Sequence, residues 1–167
     1  MHNQSLQYKL RIKAVTFVRG AVSKAKVSFI KERGDHMQGR WGLANKNGPK
    51  IYILKYKREI IYVGITKSLL SSRLGSGLSA SGKKGYHGYK WKELAKKGES
   101  DVIDLFVYLF KNEERTEAIE AEVVYLIRGR TGKWPKYQTE IHFHQSNNEE
   151  RMGAEKIYGQ IEKVLIK

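Results

Sequence analysis

Tyr52 and Tyr62 stand ten positions apart in the stretch KIYILKYKREIIYVG, residues 50–64. Apolar and polar residues alternate on either side of a charged KRE, the pattern of a β-hairpin. Side chains on a strand alternate with period two, so both tyrosines can point to one face of an antiparallel pair. Such a pair is either packing or the beginning of an active site. Two other patterns could carry chemistry. GLSASGKK, residues 77–84, nearly spells a phosphate loop, but it ends in Lys84 where Ser or Thr should stand. A helix is also expected before it, whereas that loop needs a strand before it and a helix after it. A basic loop touching phosphates is the better reading. His142 and His144, two apart on an expected strand, share a face, but no third metal ligand accompanies them, so a polar strand face accounts for them.

The elements around these residues follow from periodicity. Residues 5–33 repeat Leu10, Ala14, Val18, Ala21, Val22 and Ala25 at helical spacing, and one or two helices are expected there, although QYKLRIK alternates and could be a strand. Residues 34–49 are dense in Gly and Asn and read as a boundary. Strands follow at about 51–57 and 60–65, then a short helix capped by Ser68, a loop, and a short helix in YKWKELAKKG. VIDLFVYLF (102–110) is apolar almost throughout and reads as a buried strand. ERTEAIEAEVVYLIRGR is a helix, GKWPKYQ a turn, TEIHFH a last strand, and residues 151–166 an amphipathic helix. The fold class is α+β: a small sheet with helices packed on it. The expected organisation is a basic helical N-terminal arm (1–48), a core (49–145), and a C-terminal helix (146–167) packed on that core.

Charge narrows the partner. The chain carries 32 Lys and Arg against 17 Asp and Glu, a net charge of +15. Residues 1–100 hold 22 basic and 5 acidic residues, whereas 101–167 hold 10 and 12. A field of that size favours a polyanion, and nucleic acid is the expected partner. There are no cysteines, which excludes disulfides, thiol catalysis and Cys-based zinc sites. No apolar run is long enough for a membrane span or a signal peptide, so a cytoplasmic protein is expected.

Read in order, KIY, YVG, Arg73 on a short helix, His87 and Tyr89 in GYHGYKW, Glu122 in EAIEAEVVYLI, and the WPKY turn resemble the GIY-YIG nuclease superfamily. The resemblance covers roughly residues 50–138. It implies a three-stranded antiparallel sheet flanked by helices, to which N- and C-terminal helices would here be added. It also implies a metal-dependent DNA endonuclease with one Mg²⁺ or Mn²⁺ per active site, held by Glu122. One carboxylate with water in the other positions suits Mg²⁺. Arg73 would contact the scissile phosphate, where a permanently charged fork suits phosphate oxygens. Tyr52 would lie near the attacking water as a general base, and Tyr62 would orient water or phosphate. His87 and Tyr89 are candidates for a further proton transfer or phosphate contact. Lys67, Lys83, Lys84 and Lys90 are candidates for binding the DNA backbone.

Four positions depart from the family pattern. Lys50 stands where the first triad has Gly, Ile65 where many members have Lys, Gly77 where many have Tyr or His, and Gln138 where Asn is usual. His87 could supply the group missing at Gly77. A compact chain with a basic arm most resembles a sequence-specific restriction-type enzyme, cutting both strands as a homodimer or in two sequential events. A phage or repair nuclease specific for DNA structure is the close alternative. A catalytically weak DNA- or RNA-binding domain of the same fold is the other.

Overall fold

A computed structural model of the chain describes residues 4–33, 41–82, 87–97, 102–111, 115–139 and 141–165. One antiparallel sheet organises it. Its strands are β1 (Ser5–Val18), β2 (Ala21–Arg33), β3 (Lys50–Tyr56), β4 (Glu59–Thr66) and β5 (Val102–Leu109), in the spatial order β2-β1-β5-β3-β4. The helices are α1 (Leu70–Ser79), α2 (Thr116–Thr131) and α3 (Asn148–Leu165), with 3-10 turns at Gly42–Asn45 and Lys90–Lys97.

β3 is buried on both faces: every residue from Ile51 to Lys55 is buried. Its alternation sorts the core into two layers. Tyr52 and Leu54 join Tyr8, Leu10, Ile61, Leu70, Leu74 and Trp91 on the side of α1 and the Lys90–Lys97 turn. Ile51 and Ile53 join Phe106, Ile119, Val123, Ile157 and Ile161 on the side of α2 and α3. The hairpin β3–β4, strand β5 and helix α2 thus stand where periodicity placed them. Helix α3 opens on a reciprocal capping box. The Asn147 Oδ1 accepts from the Glu150 N–H at 2.9 Å, and Glu150 Oε2 accepts from the Asn147 N–H at 2.9 Å.

The N-terminal segment is a hairpin rather than helices, so the sheet has five strands and not three. Leu10, Ala14, Val18 and Val22 are spaced by four, which fits a helix but also keeps one face of a strand, since four is a multiple of two. The finer alternation decides: Leu6, Tyr8, Leu10 and Ile12 are all buried, Gln7 and Arg11 between them are half-buried, and Lys9 and Lys13 are exposed. β1 pairs on one side with β2 and on the other with β5, from Ser5 opposite Tyr108 to Arg11 opposite Val102.

TEIHFH does not form the last strand. Residues 139 and 141–144 are irregular, and Phe143 is 72% exposed. The free edge of β4 is taken by the preceding turn instead. The Tyr137 N–H donates to Ile61 O at 2.9 Å, and the Val63 N–H donates to Gln138 Oε1 at 3.0 Å. Helix α1 begins at Leu70 after Leu69, with no side-chain cap, so Ser68 is not its cap. No helix among the described residues is long and apolar enough to cross a membrane.

Candidate active site

The two tyrosines share a face, as the hairpin register requires. Tyr52 pairs with Gly64, and Tyr62 pairs with Leu54, one step along the same layer. Their ring centroids lie 6.0 Å apart. Gly64 completes the arrangement. A Cβ there would stand 2.6 Å from the Tyr52 hydroxyl and 2.7 Å from Tyr62 Cε1, so the third residue of YVG has no room for a side chain.

Tyr89 closes the cluster from the loop before the Lys90–Lys97 turn. Its hydroxyl lies 2.7 Å from that of Tyr52, and its ring meets Tyr62 edge-on at 5.3 Å. It also stacks on the buried Trp91 at 5.1 Å. The loop reaches this position because Gly88 takes a left-handed φ of +69°, beside Gly77 O. The Tyr89 N–H then donates to Gly77 O at 3.0 Å.

Arg73 projects from α1 over this cluster, its guanidinium 5.7 Å from the centre of the Tyr89 ring. Burial pushes the Tyr52 hydroxyl well above the ordinary phenol range, the neighbouring Tyr89 pushes it further, and Arg73 opposes the shift. Tyr62 is raised chiefly by burial, then by Tyr52, again against Arg73. Arg73 is therefore the charge that both phenols feel.

The carboxylate that meets this group is Glu120 on α2. Its pKa is raised to about 7, first by burial and then by Glu117 one turn away, with Arg73 pulling it down. Glu120 in turn raises Tyr62. Glu117 is held in its charged form by a backbone hydrogen bond and by Lys67, whose ammonium lies 3.5 Å away. Arg73, Lys67, Thr116 and Glu117 line a cleft of about 520 Å³ between α1, the end of β4 and the start of α2. Tyrosines from two strands and a loop, an arginine from one helix and two carboxylates from another thus converge beside open space. A cationic fork and an acidic pair around phenols suit the binding and hydrolysis of a phosphodiester.

A family model for the GIY-YIG catalytic domain matches residues 49–137, over half of the chain. The chain belongs to the GIY-YIG family. Comparison with curated proteins and with solved structures gave no match. A GIY-YIG domain is a nuclease, so phosphodiester hydrolysis is its activity and DNA its substrate.

The other residues singled out in the sequence fall into four groups. Glu122 points elsewhere. Two helical positions from Glu120 is a rotation of about 200°. Its carboxylate accepts a hydrogen bond from Ser146 Oγ and pairs with Arg151 Nε at 3.9 Å. It ties α2 to the start of α3. His87 is exposed and its ring lies over Gly82, outside the tyrosine cluster. Lys67 and Lys90 are exposed, Lys67 at the mouth of the cleft. Lys83 and Lys84 lie outside the described residues.

Three of the four departures from the GIY-YIG pattern have a physical account. A Cβ at Gly77 would stand 2.1 Å from the Tyr89 ring, so the glycine makes room for a tyrosine arriving from the loop. Gln138 still uses its amide oxygen, on the Val63 N–H. Lys50, 1% exposed, sends its ammonium to the carbonyls of Lys46 at 2.9 Å, Gly48 at 2.9 Å and Ser68 at 2.7 Å. It pins the entry to β3 against the segment leading into α1. Nothing in the structure accounts for Ile65.

Glu120 and Glu117 are not among the candidates that residue type and spacing single out, and Lys50 is singled out only as a departure from the first triad. The signal for the carboxylates was helical phase. Ile119, Val123 and Ile127 fix the buried stripe of α2, which leaves Glu117 and Glu120 on a different side from Glu122.

Proposed function

We propose that this chain is a metal-dependent DNA endonuclease of restriction type, cutting at a preferred sequence. The observation that carries the reading is the convergence of Tyr52, Tyr62, Tyr89 and Glu120 on Arg73 beside the cleft.

Glu120, with Glu117 beside it, is proposed to hold the cation in place of Glu122. Burial and a like charge both oppose the ionised form of Glu120. A divalent cation relieves both penalties, so this acidic pair fits the metal that the family implies. Among the described residues no three His, Asp or Glu side chains gather into a cage, so water would complete the shell. When bound, Mg²⁺ or Mn²⁺ would neutralise charge on the phosphate and help the 3′-oxygen to leave.

The protein's own groups do the rest. Arg73 grips a non-bridging phosphate oxygen and keeps its charge at every working pH. Tyr62, half-buried where Tyr52 has no exposed surface, is the phenol open to the attacking water; it first gives its own proton to solvent, and as the phenolate it takes the proton of that water. Tyr52 is one step further in and is held by the Tyr89 hydroxyl. Arg73 is what makes a phenolate tolerable there, since it alone opposes the upward shifts of both phenols. Lys67 and Lys90 bind the flanking backbone. Cutting both strands then takes two copies or two successive encounters.

The basic excess in the first 100 residues and the hairpin outside the matched family region support sequence-selective DNA binding. The test is supercoiled plasmid incubated with the full chain and Mg²⁺ or Mn²⁺, followed by sequencing of the cut ends. Nicking that EDTA abolishes, with a common sequence at the ends, supports the reading. Cutting in EDTA, or no cutting with any divalent cation, overturns it. Ends without a common sequence would overturn the restriction-type assignment alone.

A further inference from the structure

We propose that the β1–β2 hairpin is a two-stranded ribbon that enters a groove of duplex DNA, its basic face on the phosphates and its apolar tip against the bases. The proposal rests on the nuclease reading only for the identity of the polyanion.

The ribbon outlasts the sheet that supports it. Among the described residues β5 pairs with β1 as far as Arg11, opposite Val102, whereas β1 and β2 remain paired to Val18 and Ala21. Residues 12–27 therefore continue past the described end of β5 as two paired strands. A two-stranded ribbon has the width that the major groove admits.

Its charge is nearly all of one sign. Residues 5–33 hold eight Lys and Arg and one Glu. Register places much of this charge on one side. Lys13 sits opposite Lys26, Thr16 opposite Lys24 and Arg11 opposite Ser28, and cross-strand partners share a face. The other face, with Ile12, Val22 and Ala25, is buried. Lys13, Lys24 and Lys26 are exposed, and no carboxylate among the described residues pairs with them or with Arg11. Like charges opposite each other destabilise a hairpin unless a partner neutralises them.

The tip is built differently. Val15, Phe17 and Val18 are 56%, 54% and 55% exposed, in a chain that buries most of its large apolar side chains. Val15 is the extra residue of a register shift between Ala14 and Thr16, which re-aims the end of the strand. The turn itself is Arg19-Gly20, with φ of 48° and 74°. Hairpins of this kind prefer Asn, Asp or Gly at the first position, so an arginine here accepts backbone strain to place a cation at the point of the ribbon. Apolar side chains flanked by cations at a ribbon tip suit contact with base edges or steps inside a groove. A second copy of the chain fits poorly, because ribbon-to-ribbon pairing would bring two cationic faces together.

The ribbon is also tied to the nuclease site. β2 packs against α1, the helix that carries Arg73, and Val22, Ala25, Leu70, Leu74 and Leu78 belong to one buried cluster. A duplex held by the ribbon is thereby set at a fixed offset from the arginine.

The experiment measures equilibrium binding of the full chain to a fluorescein-labelled duplex in EDTA, across a series of salt concentrations. Two variants are compared with wild type: Lys13→Gln/Lys24→Gln/Lys26→Gln, and Phe17→Ser/Val18→Ser. Thermal melts check that each is folded. The lysine variant should lower the slope of log K against log [salt] by about 0.9 for each phosphate contact removed. The tip variant should keep that slope and bind about tenfold more weakly, the scale of one lost base contact. Wild-type affinity and slope in both variants would overturn the inference. So would a wild-type dimer that the tip variant converts to monomer with DNA affinity unchanged. If wild type nicks plasmid and both variants bind normally, the ribbon inference fails and the nuclease reading stands. If wild type never nicks but the variants lose binding as described, the nuclease reading fails and the ribbon inference stands.

Discussion

The hydroxyls of Tyr52 and Tyr89 lie 2.7 Å apart, although the residues are 37 positions apart in the chain. One belongs to the inner strand β3 and the other to a loop, and Gly77 gives up its side-chain space to let them meet. Tyr89→Phe removes this hydrogen bond and keeps the stacking on Trp91. The expected loss of stability is about 1 kcal/mol by thermal or urea melt. Nicking should fall about tenfold or more, because Tyr52 loses the group that orients it. A variant that loses stability but nicks like wild type would confine Tyr89 to packing.

Gly77→Ala and Gly64→Ala probe the same crowding from the other side. Each new methyl meets a tyrosine ring or hydroxyl at under 3 Å. Overpacking of this kind costs about 1–3 kcal/mol. Both variants should melt earlier, and both should lose nicking by more than stability explains. Gly77→Ala combined with Tyr89→Leu should recover stability and not activity.

Glu120 makes a pH-dependent prediction. Its folded pKa is raised to about 7, above its unfolded value, so the folded state binds the extra proton between the two. Stability of the metal-free protein therefore declines as pH rises through that window, by about 3 kcal/mol at most. In EDTA, Glu120→Gln should raise the melting temperature at pH 8 and leave it unchanged at pH 5. Adding Mg²⁺ at pH 8 should stabilise wild type and not the variant. Equal melting temperatures for wild type and Glu120→Gln at pH 8 would contradict the assigned environment.

Lys50 has no surface, and its ammonium serves three carbonyls. Lys50→Met keeps the stem and orphans those acceptors, so a loss of about 3 kcal/mol is expected in a urea melt. Because Ser68 O is one of the three, the start of α1 should loosen. Faster amide exchange at residues 69–73 than in wild type would report it. Unchanged exchange there would mean that the lysine serves only the loop at residues 46–48.

How much of this could be read from residue types depends on the element. Ile51, Ile53 and Val63 against Tyr52 and Tyr62 spell period two without ambiguity, and the β3–β4 hairpin formed as expected. The N-terminal ribbon was hidden by its own spacing, since residues four apart share a face in either structure, and the Arg19-Gly20 turn lacks the usual Asn or Asp. Glu122 and Glu120 are indistinguishable by order along the chain. Only the phase of α2, fixed by Ile119, Val123 and Ile127 packing on α3, decides which one turns toward Arg73. Tyr89 stood out by its neighbours in GYHGYKW, but its contact with Tyr52 required the fold, because nothing local in a loop specifies a partner 37 residues away. TEIHFH alternates well, yet a strand also needs an edge to pair with, and Tyr137 and Gln138 had taken it.

The central claim is that Glu120 and Arg73 form the working site while Glu122 is a brace between helices. Plasmid nicking in Mg²⁺ by folded Arg73→Ala, Glu120→Gln and Glu122→Gln tests it most directly. The first two should lose about 100-fold or more, the scale of a removed transition-state contact. Glu122→Gln should stay within several-fold of wild type and melt earlier. Full loss in Glu122→Gln with near-normal nicking by Glu120→Gln would contradict the account.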